Sequence, residues 1–244
     1  MKILINEKLV KRNARIGQIT TFAALAVLAG GMYISFQRPD LFSWSLIALL
    51  LGFLASQIGI YFTNRWGRSP RPDQLLNLAL KGLDKRYAFY HYVSPTSHLL
   101  VGPAGVWVLI PKTQKGKISY EHGRWRQRGG GFLATYLKIF AQDSIGRPDI
   151  EITAETDEVR RFLEKQLPEV NLPKIQAALV FLHPEADILI EEGEAPAPTM
   201  ASKKLKDFIR KAAKDDGAAM TTIEQIQALF AQAEEVEEEE EKDK

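Results

Sequence analysis

Side chains that commonly carry catalysis are sparse in this sequence of 244 residues. It has no cysteine, which excludes disulfides and thiolate metal sites and suits a reducing compartment. The four histidines stand at positions 91, 98, 122 and 183, and no two have the spacing of a metal-binding pair on one helix. Neither a Gly-Lys-Ser/Thr phosphate loop nor a Gly-x-Ser-x-Gly elbow is present. Carboxylates and basic residues are therefore the groups whose chemistry remains to be considered.

The basic residues form an informative pattern between positions 112 and 128. Three arginines alternate between positions 124 and 128, so on a strand they share one face, with Trp125 on the other. Three lysines come from the segment just before them. The resulting strip comprises Lys112, Lys115, Lys117, Arg124, Arg126 and Arg128. Such a strip is able to hold phosphate groups through charge and counterion release.

Three interpretations of this strip stay open. It binds the backbone of a nucleic acid, or it faces anionic lipid headgroups, where each cation contributes about 1 kcal/mol. The third interpretation is a solvated sheet face without a partner. Protein partners cannot be named from the residues.

A longer run of residues carries a more specific pattern. The turn Gly102-Pro103-Ala104-Gly105 joins two apolar strands, and the second strand continues to Lys112. Gly116-Lys117-Ile118 and Trp125 follow. This run resembles the nuclease-related domain (NERD) family. Members of that family typically show Asp-His, an apolar strand, a Gly-Pro-x-Gly-Val turn and a strand ending in Glu-x-Lys. Gly-x-Ile and a tryptophan follow. The resemblance is strongest over residues 73–128 and extends to about residue 182.

The resemblance implies a restriction-endonuclease-like fold. In such sites two carboxylates on adjacent strands bind a divalent metal, and a lysine orients or activates water. Mg²⁺ requires oxygen ligands of this kind. In this sequence the aspartate position holds Ser97 and the glutamate position holds Ile110, whereas the lysine is kept as Lys112. An acid that some members place on the first helix corresponds to Asp73. His98 matches the histidine of the Asp-His pair.

A serine and an isoleucine in place of the acids predict a degenerate site, with no catalytic residue, no metal and no cofactor. We therefore expect a catalytically inactive binding or scaffolding module, a pseudoenzyme, rather than an enzyme. The alternative is a membrane-bound, metal-dependent nuclease that uses displaced carboxylates. Asp84 and Glu121 are the candidates for that role, and only this alternative requires Mg²⁺.

Two uncharged runs near the N-terminus predict a transmembrane hairpin. Residues 16–36 span about 31 Å as a helix, the thickness of a hydrocarbon core. A second span at 43–63 follows a short turn that contains Pro39. A cleaved signal peptide is the competing interpretation of the first run, but its apolar core is too long and no small-residue cleavage site follows. Gly30, Gly31 and Gly52 permit close helix approach, but no GxxxG motif stands out, so dimerisation stays open.

Flanking charges predict the orientation of this hairpin. Four basic residues precede the first span and three follow the second, whereas the turn has one arginine and one aspartate. The positive-inside rule then places both termini and the following domain in the cytoplasm, on a cell (inner) membrane. The basic residues are Lys8, Lys11, Arg12, Arg15, Arg65, Arg68 and Arg71.

The rest of the chain alternates helical and strand patterns and predicts an α/β domain with a mixed sheet flanked by helices. Predicted helices cover residues 73–83, 153–167, 202–214 and 222–233. Predicted strands cover 88–93, 98–101, 106–110, 117–120, 124–128 and 174–182, and 188–190 extends the sheet. A short helix is expected at 132–142, resting on the bilayer surface or on the sheet.

These patterns predict six regions. They are an N-terminal segment (1–15), the hairpin (16–64), a linker (65–72), the NERD-like α/β domain (73–191), a C-terminal helical extension (192–233) and an acidic, disordered tail (234–244). The tail carries eight acidic residues and two lysines, a charge of −6. Because the whole chain has a net charge of +2, residues 1–233 carry +8.

Overall fold

The computed structural model describes residues 1–128, 145–191 and 193–242 of the chain. The predicted short helix at 132–142 lies outside the described residues. Two compact units are present: residues 7–72 form a helical hairpin, and residues 1–6, 73–128 and those from 145 onward form an α/β unit.

Helix α1 (Glu7–Gln37) and helix α2 (Phe42–Phe62) form the hairpin, joined by a 3₁₀ turn (Pro39–Leu41) and followed by a π-helical turn (Thr63–Gly67). The predicted spans lie in these two helices, except that Thr63, the last residue of the second span, belongs to the π-helical turn. Both helices are long and apolar enough to cross a membrane, and about a tenth of the most apolar stretch of each is buried. Length and composition of this kind are weak evidence for a membrane protein, because a signal sequence also meets the criterion.

Small residues at every seventh position hold the two helices together. The buried small residues are Gly17, Ala24 and Gly31 on α1, and Ser45, Gly52 and Gly59 on α2; α1 also buries Val10 and Asn13. A seven-residue spacing keeps one seam facing the partner helix as the two wind around each other. A Cβ added at Gly52 would lie 2.7 Å from Cγ of Leu28, so the backbones approach closely here. Ser45 Oγ also donates to the carbonyl of Gly31, at 2.8 Å.

The α/β unit is built on a six-stranded mixed sheet with the order β1-β2-β3-β4-β7-β9. Every neighbouring pair is parallel except β2–β3 and β3–β4. All strands except β3 therefore end at one edge of the sheet. The strands are β1 (Lys2–Ile5), β2 (Ala88–His91), β3 (His98–Gly102), β4 (Gly105–Lys112), β7 (Ile175–Phe181) and β9 (Thr199–Ala201).

Helices cover both faces of this sheet. The side chains of β4 alternate, so Val106, Val108 and Ile110 point to one face while Trp107 and Leu109 point to the other. Helices α4 (Pro148–Gln166) and α6 (Met220–Lys242) pack on the first face, and α3 (Pro72–Ala79) and α5 (Ser202–Asp215) on the second. The predicted mixed sheet flanked by helices is confirmed.

A separate three-stranded sheet has the order β6-β5-β8. It contains β5 (Gly116–Glu121), β6 (Arg124–Arg128) and β8 (Ala186–Ile188), the last pairing parallel with β5. The sequence predicted one central sheet. Ile118 of the small sheet forms a buried cluster with Ile145, from the segment before α4, and with Phe181, the last residue of β7.

Three predicted boundaries differ from the structure. Residues 1–15 are divided, because Lys2–Ile5 pairs with β2 and Leu4 is buried, while α1 begins at Glu7. The C-terminal helices are part of the α/β unit, since Leu205 and Phe230 pack into its two cores. Helix α6 continues to Lys242 rather than ending near residue 233. Glutamate is a good helix former, and the packed first turns of α6 already provide the nucleus.

Enlarging a glycine in the seam tests the hairpin packing. We expect Gly52→Leu to destabilise the hairpin by about 1–3 kcal/mol, because the added atoms meet Leu28. Gly30→Leu is the matched control, since a Cβ there has no atom within 4 Å. The measurement is the SDS concentration at which energy transfer between dyes attached to α1 and α2 of the detergent-solubilised chain is lost. Equal effects of the two substitutions would contradict the seam.

Candidate functional site

The positions aligned with the nuclease pattern come together only in part. Ser97 directly precedes β3, and Ile110 and Lys112 end β4. Because β3 and β4 are antiparallel neighbours, these three residues lie at the same end of the sheet. Asp73 lies in the first turn of α3 and is fully buried. However, α3 packs on the face of the sheet opposite to the one that Ile110 faces.

Ile110 is a core residue in this structure. It is 2% exposed and belongs to the cluster formed with Val159 and Leu163 of α4. An isoleucine has no atom that ligates a metal. Packing in the core is a sufficient reason for an apolar side chain at this position. A carboxylate at this position would need a cation beside it to offset its desolvation.

Lys112 pairs with an acid that the sequence pattern did not reveal. Its Nζ lies 2.5 Å from Oε2 of Glu151 on α4, and the lysine side chain is 11% exposed. One turn later on α4, Glu155 accepts a hydrogen bond from Oγ1 of Thr96. The prediction missed Glu151 because it began the helix at residue 153. Pro148 at the first helical position, followed by Asp149 and Glu151, is the start signal that would have placed it.

Two histidines form a buried polar pair near the same end of the sheet. Nδ1 of His91 lies 2.8 Å from Nδ1 of His98, and Nε2 of His91 lies 3.0 Å from Oδ1 of Asn77. Since the amide oxygen only accepts, His91 donates from Nε2; when His91 is neutral, its Nδ1 then accepts from Nδ1–H of His98. The tight turn from Tyr92 to Ser97, closed by a 3.0 Å backbone bond, positions the pair.

The two acids considered as displaced ligands lie elsewhere. Asp84 precedes β2, at the opposite end of the sheet from Lys112, and its hydrogen bonds from Arg86 hold the pKa of that carboxyl below its usual value. Glu121 ends β5 in the small sheet. Within the described residues, no group of three or more His, Asp or Glu side chains is arranged to hold a metal ion.

The basic strip is present on one face of the β5–β6 ribbon, with two changes. The register places Lys117 opposite Arg128 and Glu121 opposite Arg124. All three arginines, Lys115 and Lys117 are exposed, while Trp125 packs on the other face against Tyr120, with ring centroids 5.1 Å apart. Lys112 is not part of the strip, because β4 ends in the large sheet and this lysine faces Glu151.

Glu121 is the second change, since it brings a negative charge into the strip. Its Oε2 lies 3.6 Å from Nε of Arg126 and 3.7 Å from a guanidinium nitrogen of Arg128. The hydroxyl of Ser119 donates to its Oε1 at 2.9 Å. That hydrogen bond, followed by the two arginines, lowers the pKa of Glu121. The carboxylate is therefore ionised at neutral pH and partly offsets the cations around it.

Comparisons with known proteins assign no family. No family model, no curated protein and no solved structure matches this chain.

Removing Glu151 should destabilise the protein more than removing Lys112, its partner in the ion pair. We expect Glu151→Ala to lower the free energy of unfolding by about 1–3 kcal/mol, because it removes the acceptor of a largely buried ammonium group. Lys112→Met should cost less than about 1 kcal/mol, since Glu151 is 39% exposed and keeps its water. Denaturant titration of the full chain in detergent, followed by tryptophan fluorescence, measures both. Glu158→Ala, exposed on the same helix, is the control; a larger loss for Lys112→Met would contradict the assignment.

Proposed function

We propose that this chain is a membrane-anchored, non-catalytic binding module whose β5–β6 strip holds the anionic lipid headgroups of a membrane. The observation that carries the proposal is the strip itself. Four exposed cations, Lys117, Arg124, Arg126 and Arg128, share one face of the three-stranded sheet with two carboxylates, Glu121 and Asp187. A flat array of this kind fits a surface of phosphate groups better than a single small ligand.

The anchor in this proposal is the α1–α2 hairpin, inserted in the cell (inner) membrane with both termini and the α/β unit in the cytoplasm. The charges support this orientation. In the turn between the helices, Arg38 makes two 3.1 Å hydrogen bonds to Asp40, so the turn has no net charge. The other ends of both helices carry the basic residues, as the positive-inside rule requires of cytoplasmic flanks.

The fold in this proposal is a NERD-like, restriction-endonuclease-like domain. Two observations support it. The Gly102–Gly105 turn joins two adjacent strands of the sheet, and Gly105 has a φ of +93°, a conformation that favours glycine. The register then brings positions 97, 110 and 112 to one end of the sheet, as a common site would need. The absence of catalysis is supported by the burial of Ile110 and by the pairing of Lys112 with Glu151.

Lipid is favoured over nucleic acid by where the aromatic side chains of the ribbon lie. Binding of single-stranded nucleic acid commonly uses exposed aromatic rings on which bases stack. On this ribbon, Trp125 and Tyr120 face away from the arginines and contact each other. The strip therefore offers charge without a stacking surface, which suits headgroups at about 1 kcal/mol for each cation.

Removing two charges from the strip tests the proposal. We expect Lys117→Gln combined with Arg124→Gln to weaken binding to anionic liposomes about 30-fold, since two cations are lost. Glu121→Gln should tighten binding about fivefold because it removes the carboxylate between the arginines. The measurement is flotation of the full chain in phosphatidylcholine nanodiscs with liposomes containing phosphatidylserine, at low and high salt.

The matched control is Arg160→Gln with Arg161→Gln, which removes two exposed cations from α4. If this control weakens binding as much as the strip variant, the effect is one of net charge and the proposal fails. Fluorescence anisotropy with DNA and RNA oligonucleotides uses the same discs. Strip-dependent oligonucleotide binding without strip-dependent liposome binding would identify nucleic acid as the partner instead. Cleavage of the oligonucleotides in Mg²⁺ or Mn²⁺ would contradict the non-catalytic assignment.

A further inference from the structure

A cavity of about 690 Å³ lies beside β9 and α5, on a part of the α/β unit distant in sequence from the basic strip. Its walls come from the loop before β9, from β9 and from the first three turns of α5. This volume is within the range of about 300–1,000 Å³ that is usual for sites that enclose a small molecule.

Apolar side chains form much of this cavity. Met200 of β9 and Phe208 of α5 line it together with Pro196 and Pro198. Met200 is 7% exposed, and the ring of Phe208 is held edge-to-face against Trp107 at a centroid distance of 5.2 Å. The floor is thus fixed by the core of the α/β unit, and it suits an apolar chain.

Charged side chains line the same cavity. Three of them are lysines, Lys203, Lys204 and Lys211, and two are acids, Glu191 and Asp207. Lys204, Phe208 and Lys211 are spaced four and three residues apart on α5, so they follow one side of the helix. A molecule lying along Phe208 would therefore meet an ammonium group one turn away in either direction.

The cavity lies beside the last strand of the large sheet. Thr199 and Met200 of β9 line it together with residues between 203 and 211 of α5.

We propose that this cavity binds a long-chain carboxylate, with its hydrocarbon chain on Met200 and Phe208 and its head beside Lys203 and Lys204. The charges beside the proposed head decide the head group. Lys203 and Lys204 line this part of the α5 wall with one carboxylate, Asp207. A monoanion suits two ammonium groups and one carboxylate, whereas a phosphate monoester carries close to two negative charges at neutral pH.

Photo-crosslinking of the full chain in phosphatidylcholine nanodiscs tests the site. The probe is palmitate that carries a diazirine on its chain, and peptide mapping locates the label. We expect label within residues 190–211. Lys204→Glu should reduce it about fivefold, because the site then carries net negative charge. Lys214→Glu, exposed on α5 but outside the cavity, makes the same change of charge and should leave the label unaltered.

A second variant tests the apolar part without altering charge. Ala195 lines the cavity, and Ala195→Trp should abolish the label by filling the space. Lys204→Glu changes an exposed side chain, so its readout stands if the tryptophan variant fails to fold. Label that none of the variants alters would overturn the proposal. Better competition by palmityl alcohol or by a single-chain phosphate lipid than by palmitate would overturn the choice of a carboxylate.

Discussion

The burial of β4 on both faces is the constraint on which the α/β unit depends. This strand pairs with β3 on one side and with β7 on the other, and helices cover both of its faces. Its side chains must therefore be apolar over nearly the whole length. The first charged residue, Lys112, is also the last residue of the strand, and it has Glu151 as a partner. An unpaired charge one pleat earlier would be desolvated without compensation.

This constraint explains what an isoleucine at position 110 means. A carboxylate in this place is tolerable when a bound metal ion offsets its burial, and it is costly without one. Isoleucine removes that dependence and adds packing against Val159 and Leu163 of α4. Lys112, which an acid would otherwise neighbour, pairs with an acid from α4 instead. The charge that ends β4 is thus paired within the chain.

Local patterns predicted the elements whose signal is contained in a few residues. The alternation of β6 and the turn between β3 and β4 are examples, and both lie where the sequence placed them. What could not be predicted depends on distant partners. β1 has four residues, and its strand state depends on pairing with β2, more than eighty positions later. The division into two sheets depends on β8 pairing with β5. Glu151 was missed for a simpler reason, because the helix was begun too late.

The packing of the hairpin also could not be predicted from one helix alone. Individual glycines were visible in the sequence, but the seven-residue spacing of Gly17, Ala24 and Gly31 becomes meaningful only beside that of Ser45, Gly52 and Gly59. In a lipid environment, where apolar surface gains little from helix association, close packing and hydrogen bonds must hold helices together. Small residues in register provide the packing, and the bond from Ser45 to the carbonyl of Gly31 adds to it. Gly30, one position away, lies outside this contact.

The two basic regions of the α/β unit differ in shape, and shape separates their proposed ligands. The strip on β5–β6 is exposed, and its apolar side is already used to cover Ile118 and the neighbouring core. It can offer only charge, so its binding must weaken with salt and extend over many headgroups. The lysines of α5 that line the cavity instead border a concave, largely apolar space. Charge there fixes the orientation of one molecule, while burial of its chain provides the affinity, which salt affects little.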